Sequence, residues 1–167
     1  YSPLTPEVAA LPLVVVPPCI NKFYIMDLQP DNSLIRYMVE QGNTVFLVSW
    51  RNPQEEHGHL TWNDYLEHGP IAALQVAREI CKVEQVNTLG FCVGGTILTS
   101  ALSVLKGRGE DIAASLTLMT TLLDFSDTGE IGLFIDANAL ATRESSIGNG
   151  GLLPARDLQS TFSFLRA

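Results

Sequence analysis

Gly90-Phe91-Cys92-Val93-Gly94-Gly95 is the stretch of this sequence whose residue types and spacing carry the clearest chemistry. Residues 90–94 fit the pattern G-x-C-x-G, which places a nucleophilic side chain on a sharp strand-to-helix turn. The reaction suited to a thiol there is covalent acyl transfer, in which sulfur attacks a carbonyl carbon and holds the acyl group as a thioester. Gly90 and Gly94, two positions either side of the thiol, keep so tight a turn from clashing with its strand and its helix. At the start of the helix Cys92 meets the positive end of the helix dipole, which favours a thiolate. The backbone N–H of Val93 then faces the oxygen of a bound acyl group as one oxyanion donor. A second donor is expected from the loop after an earlier strand, and in Pro17-Pro18-Cys19-Ile20-Asn21-Lys22 the candidate is the N–H of Ile20.

The rest of a thiol mechanism is not visible. A base, usually His oriented by a carboxylate, follows the nucleophile in this kind of fold in the order nucleophile, acid, His. His57, His59 and His68 all precede Cys92, and they read as loop or solvent-exposed residues. Asp124, Asp127, Asp136 and Asp157 follow it, but none is assigned as the acid. The general base and acid are therefore expected outside this chain. Cys19 and Cys81 read as structural thiols. The three cysteines match no zinc spacing, so no metal site is expected, and their odd number favours free thiols in a reducing cytoplasm.

Around the motif the chain alternates strand and helix. Leu11–Val16, Thr44–Trp50, Val86–Phe91 and Ser115–Thr120 read as strands. The first is a β-branched run closed by Pro17-Pro18, as a strand buried on both faces would be. Asp31–Gln41, Trp62–Lys82 and Gly94–Leu105 read as helices. Thr61 and Asp64 offer a capping-box start to the second, and Gly69-Pro70 should kink it or start a fresh helix. Such repeats predict an α/β fold of the α/β-hydrolase kind, a mostly parallel sheet with helices on both faces. Residues 1–126 read as the nucleophile-bearing half of that core and 127–167 as the incomplete start of a cap, with a helix over Ile131–Arg143 and a further element from Gln159 to Leu165.

A formal charge of −8 with no basic patch argues against nucleic-acid or anionic-membrane partners. No apolar run approaches the roughly 20 residues a membrane helix needs. The opening Tyr1-Ser2-Pro3-Leu4, without an initiator Met or a basic leader, suggests a piece of a longer chain.

Five segments together resemble the polyhydroxyalkanoate synthases, especially their short-chain class I type. They are Pro17 to Leu28 (PPCINKFYIMDL), Val45 to Pro53 (VFLVSWRNP), Leu89 to Thr96 (LGFCVGGT), Thr120 to Phe125 (TTLLDF) and Thr161 to Arg166 (TFSFLR). The resemblance implies an acyltransferase that polymerises 3-hydroxyacyl-CoA, with 3-hydroxybutyryl-CoA the expected substrate, into polyester and releases CoA. It implies Cys92 as the catalytic thiol, the Val93 and Ile20 amides as oxyanion donors, and no cofactor beyond the CoA thioester. It also implies a cytoplasmic, granule-associated homodimer whose Asp and His lie downstream. Local residues alone leave open a Cys-dependent hydrolase of the dienelactone-hydrolase kind, or a non-catalytic fragment; the longer matches favour the synthase. The 167 residues by themselves are expected to turn over little and, with an open sheet edge, to fold only marginally.

Overall fold

A computed structural model describes residues 1–20, 23–129, 132, 136–148, 151–152, 159 and 163. Two compact units are present, Tyr1–Trp50 with Thr61–Leu123, and Arg51–Leu60 with Asp124–Ala167.

The first unit is built on four parallel strands, β1 (Leu13–Val16), β2 (Val45–Leu47), β3 (Val86–Phe91) and β4 (Ala113–Met119), in the order β2-β1-β3-β4. β1 is central, and its side chains alternate between two separate cores. Val14 and Val16 join Val86 under helices α2 (Trp62–Leu66), α3 (Ala72–Cys81) and α4 (Val93–Gly107). Leu13 and Val15 join Val45 and Leu89 under helix α1 (Leu34–Glu40), through Ile35 and Val39. Helices thus cover both faces of a parallel sheet, the α/β class expected. In α4 the buried positions Gly94, Leu98, Ala101 and Leu105 follow the spacing of one helical face. β4 forms one edge of the sheet, and most of its side chains are exposed.

Several boundaries differ from expectation for local reasons. α1 begins at Leu34 rather than Asp31 because Pro30–Asn32 forms a 3-10 turn and Ser33 caps the helix, accepting from the Arg36 N–H at 2.8 Å. β2 stops at Leu47, three residues before Trp50, whose ring N–H instead donates to the Pro17 carbonyl at 2.8 Å. The helix over 62–82 breaks where Gly69-Pro70 predicts. Glu67–Ile71 forms a π-helical turn between α2 and α3, with Gly69 at φ −100°, ψ −105°. A side chain on Gly69 would come within 2.5 Å of the Trp50 ring, so the break also seats that indole. The capping box at Thr61 and Asp64 is present at the start of α2.

In the second unit Glu55–His57 makes a 3-10 turn, and helix α5 runs from Ala137 to Ile147. α5 starts later than Ile131 because Asp136 is its cap, accepting from the Ala139 N–H at 2.7 Å. The element expected over Gln159–Leu165 lies almost wholly outside the described residues, as do Asn21, Lys22 and Asp157.

Candidate active site

The sheet order itself marks a place for chemistry. From β1 the chain turns to one side of the sheet and from β3 to the other, so the carboxyl ends of these neighbouring strands diverge. In open α/β sheets such a divergence opens the crevice where ligands bind. Val16 pairs with Gly90 at this end, which sets Cys19 and Cys92 just beyond the last ladder residues of adjacent strands.

At the end of β3 the backbone turns within one residue. Cys92 has φ 53° and ψ −130°, a conformation that costs a non-glycine residue about 1–3 kcal/mol. Its N–H still belongs to the sheet, donating to the Met119 carbonyl at 2.9 Å. Its carbonyl already belongs to the helix, accepting from the Gly95 N–H at 2.9 Å. Cys92 is half-buried, and Val93 is the first residue of the 15-residue α4. The Val93 N–H is therefore one of the donors that a helix start leaves without an intrahelical acceptor.

The glycines are demanded by backbone approach. A side chain on Gly90 would come 2.3 Å from the Gly95 Cα, and one on Gly94 would come 2.3 Å from the Val16 carbonyl oxygen and 2.5 Å from that of Pro17. Both are far inside contact distance, so α4 starts directly against the end of β1. Gly95, which the five-residue pattern does not single out, is as tightly held. Its missing side chain would come 2.1 Å from Thr121 Oγ1. The repeated glycine at 94–95 was the available signal, but its partner is 26 residues away and no local pattern names it.

Cys19 is half-buried against the α3–α4 side of the core. Burial pushes its thiol above the ordinary value. Its own backbone N–H pulls the other way, and the charge of Cys92 pushes it up further. Ionisation of Cys19 is thus disfavoured, in part by its nearness to Cys92. Ile20 is exposed at the turn after Cys19, immediately before residues outside the description.

The histidines are engaged elsewhere. In the second unit His57 Nδ1 accepts from the Gln54 N–H at 2.9 Å, and His59 Nδ1–H donates to the Glu56 carbonyl at 2.8 Å. His68 is exposed in the π-helical turn and lines a groove beside β2, the strand on the far side of β1 from β3. Three of the aspartates after Cys92 serve local turns. Asp124 accepts from the Ser126 N–H, which lowers its pKa, Asp127 accepts from the Gly129 N–H, and Asp136 caps α5. Among the described residues no group of three or more His, Cys, Asp or Glu is arranged to hold a metal ion, and no helix is long and apolar enough to cross a membrane.

A half-buried thiol on a one-residue strand-to-helix turn, at the divergence of a parallel sheet, defines an α/β protein with an elbow of the shape on which such folds can carry a nucleophile. Known proteins narrow this. The family described as Poly-beta-hydroxybutyrate polymerase (PhaC) N-terminus matches residues 1–38. The chain is 56% identical over 171 residues to the poly(3-hydroxyalkanoate) polymerase subunit PhaC of Cupriavidus necator, covering 99% of this chain and 29% of that protein. It is 38% identical over 167 residues to the subunit of the same name from Rhizobium meliloti, covering 100% of this chain and 27% of that one. To the Haloferax mediterranei subunit it is 35% identical over 133 residues, 78% of this chain and 26% of that one. The chain belongs to the poly(3-hydroxyalkanoate) polymerase family, and it spans less than a third of the length of these relatives.

Proposed function

We propose that this chain carries the nucleophile of a poly(3-hydroxyalkanoate) polymerase and that Cys92 is the thiol on which the acyl group is loaded. The observation that carries this reading is the backbone of Cys92, a strained turn maintained at the start of a long helix in a chain whose relatives are named as polymerases.

Cys92, having given its proton to a base, attacks the carbonyl carbon of a 3-hydroxyacyl-CoA. The C–S bond to CoA breaks, CoA leaves as a thiolate that takes up a proton, and the acyl group rests on Cys92 as a thioester. A hydroxyl group of a second 3-hydroxyacyl unit then attacks that thioester, forming an ester and freeing the thiol. The first step exchanges one thioester for another and is close to neutral in energy, so the acyl group stays activated for the second. The amides of Val93 and Ile20 receive the oxyanion. The base and its carboxylate lie in the polymerase outside residues 1–167, no cofactor takes part, and residues 127–167 begin a cap that keeps water from the thioester. The short-chain substrate, the polyester granule as the site of work, the cytoplasm and a homodimeric parent belong to the same reading.

Intact mass spectrometry of the full-length polymerase carrying this segment, after incubation with 3-hydroxybutyryl-CoA, tests it. An acyl adduct on Cys92 that Cys92→Ser abolishes is expected, with product esters rather than free acid. An adduct on another residue, or none from a folded protein, overturns the assignment; free acid alone turns it into a thioester hydrolase.

A further inference from the structure

The sequence motif accounts for the elbow from the β3 side, yet the elbow is also gripped from β4. After Met119 the chain enters a second turn in which Thr120 has φ 46°, a left-handed conformation that a β-branched residue seldom adopts. This turn ends β4 and sends Thr121 beneath the start of α4. Thr121 Oγ1 donates to the Met119 carbonyl at 3.2 Å, the same carbonyl that accepts the Cys92 N–H at 2.9 Å. On the other side of the turn the Thr96 hydroxyl donates to the Leu122 carbonyl at 2.9 Å. Between these two ties the Thr121 side chain occupies the space next to Gly95. Its Oγ1, Cγ2 and Cβ lie 2.1, 2.7 and 2.9 Å from where a Gly95 side chain would begin. Two strained non-glycine residues, Cys92 and Thr120, thus stand at the ends of adjacent strands and are linked through one carbonyl and one pair of packed residues. Strained backbone persists only where its surroundings over-determine it, and here each turn is part of the other's surroundings.

We propose that the turn Thr120–Leu122 is the positioning element of the Cys92 elbow, with Thr121 packed against Gly95 to set the first turn of α4. The inference rests on Cys92 being the attacking thiol. Thr121 touches no reacting atom in it. It acts through the helix start that aims both the Cys92 sulfur and the Val93 N–H. A shift of that start would leave thioester binding in place and slow the attack, because attack requires reacting atoms in near contact and correct alignment.

Single-turnover acylation by 3-hydroxybutyryl-CoA in the full-length polymerase, followed by intact mass, reads this directly. Gly95→Ala is expected to lower the acylation rate constant by about 100-fold, with the half-saturating thioester concentration unchanged. Thr121→Gly, which opens the gap and removes the hydroxyl, is expected to lower it several-fold, and Thr121→Val, which keeps the bulk beside Gly95 but loses the tie to the Met119 carbonyl, to lower it less. The double variant Gly95→Ala with Thr121→Gly loses the three closest contacts and should acylate faster than Gly95→Ala alone. A rescue of rate at constant half-saturation separates positioning from a merely structural role. Wild-type rates in folded Gly95→Ala, or a double variant slowed by the product of the two single losses, overturn the inference. If Gly95→Ala does not melt cooperatively, Thr121→Gly decides: a wild-type rate overturns the proposal, and a several-fold loss with unchanged melting supports it. A wild-type polymerase that acylates some other residue sinks the reading of Cys92 itself, and this inference with it.

Discussion

Two thiols stand at the carboxyl ends of neighbouring strands, and the chain treats them differently. After β3 the backbone reverses within Cys92, which is left-handed in φ, bonded to the sheet through its N–H and to the helix through its carbonyl. After β1 the backbone runs through Pro17-Pro18 into an ordinary turn, and Cys19 packs against the core with burial pushing its thiol up. The residue type is the same and the two groups sense each other electrostatically. A helix start and a strained turn make Cys92 a nucleophile candidate; Cys19 has neither, and burial disfavours its ionisation.

The joint between the two strand ends is the most damaging place to break this contrast. Gly94 sits against the carbonyls of Val16 and Pro17, so Gly94→Ala forces the elbow and the β1 loop apart. The expected loss of unfolding free energy is about 1–3 kcal/mol or more, read from urea denaturation, and a variant as stable as the wild type would mean the two ends can separate freely. A smaller effect should follow at the β1 loop alone. Trp50→Phe removes both the indole donor to the Pro17 carbonyl and the far edge of the ring that lies over Gly69. It should cost about 1–3 kcal/mol in the same denaturation experiment, with the adduct on Cys92 still forming.

Cys19 offers the finest test. Its folded pKa lies above its unfolded one, so the neutral thiol's contribution to stability is whole below the unfolded value of about 8.5 and is lost as pH climbs through the folded value. Cys19→Ala should therefore flatten the fall of Tm on the alkaline side of that point and leave Tm versus pH unchanged near neutrality. An identical alkaline fall in both proteins would show that burial of this thiol has no such effect.

Much of the fold was legible in residue order. β3 was bounded to the residue because the elbow Gly90-Phe91-Cys92 fixes where its strand must end, and the kink at Gly69-Pro70 followed from a missing N–H and a missing side chain. Boundaries failed where short-range competition decided them. Ser33 and Asp136 captured helix starts that periodicity alone put a few residues earlier, and the left-handed Thr120 ended β4. The motif explained Gly90 and Gly94 by the tightness of their own turn, but not that Gly94 meets the Val16 and Pro17 carbonyls at the end of β1.

By itself the sequence determined the α/β alternation, the strand that leads into Cys92 and the glycines flanking it, because those features depend on residues within a few positions of one another. The tertiary structure alone decided that Gly95 meets Thr121, that Gly94 meets the end of β1, and that Cys19 and Cys92 stand at the ends of adjacent strands. Those contacts depend on the strand order β2-β1-β3-β4 and on where each crossover returns the chain. Packing at such a joint involves segments far apart in sequence, so it is set by the closing of the sheet rather than by the pattern of any one segment.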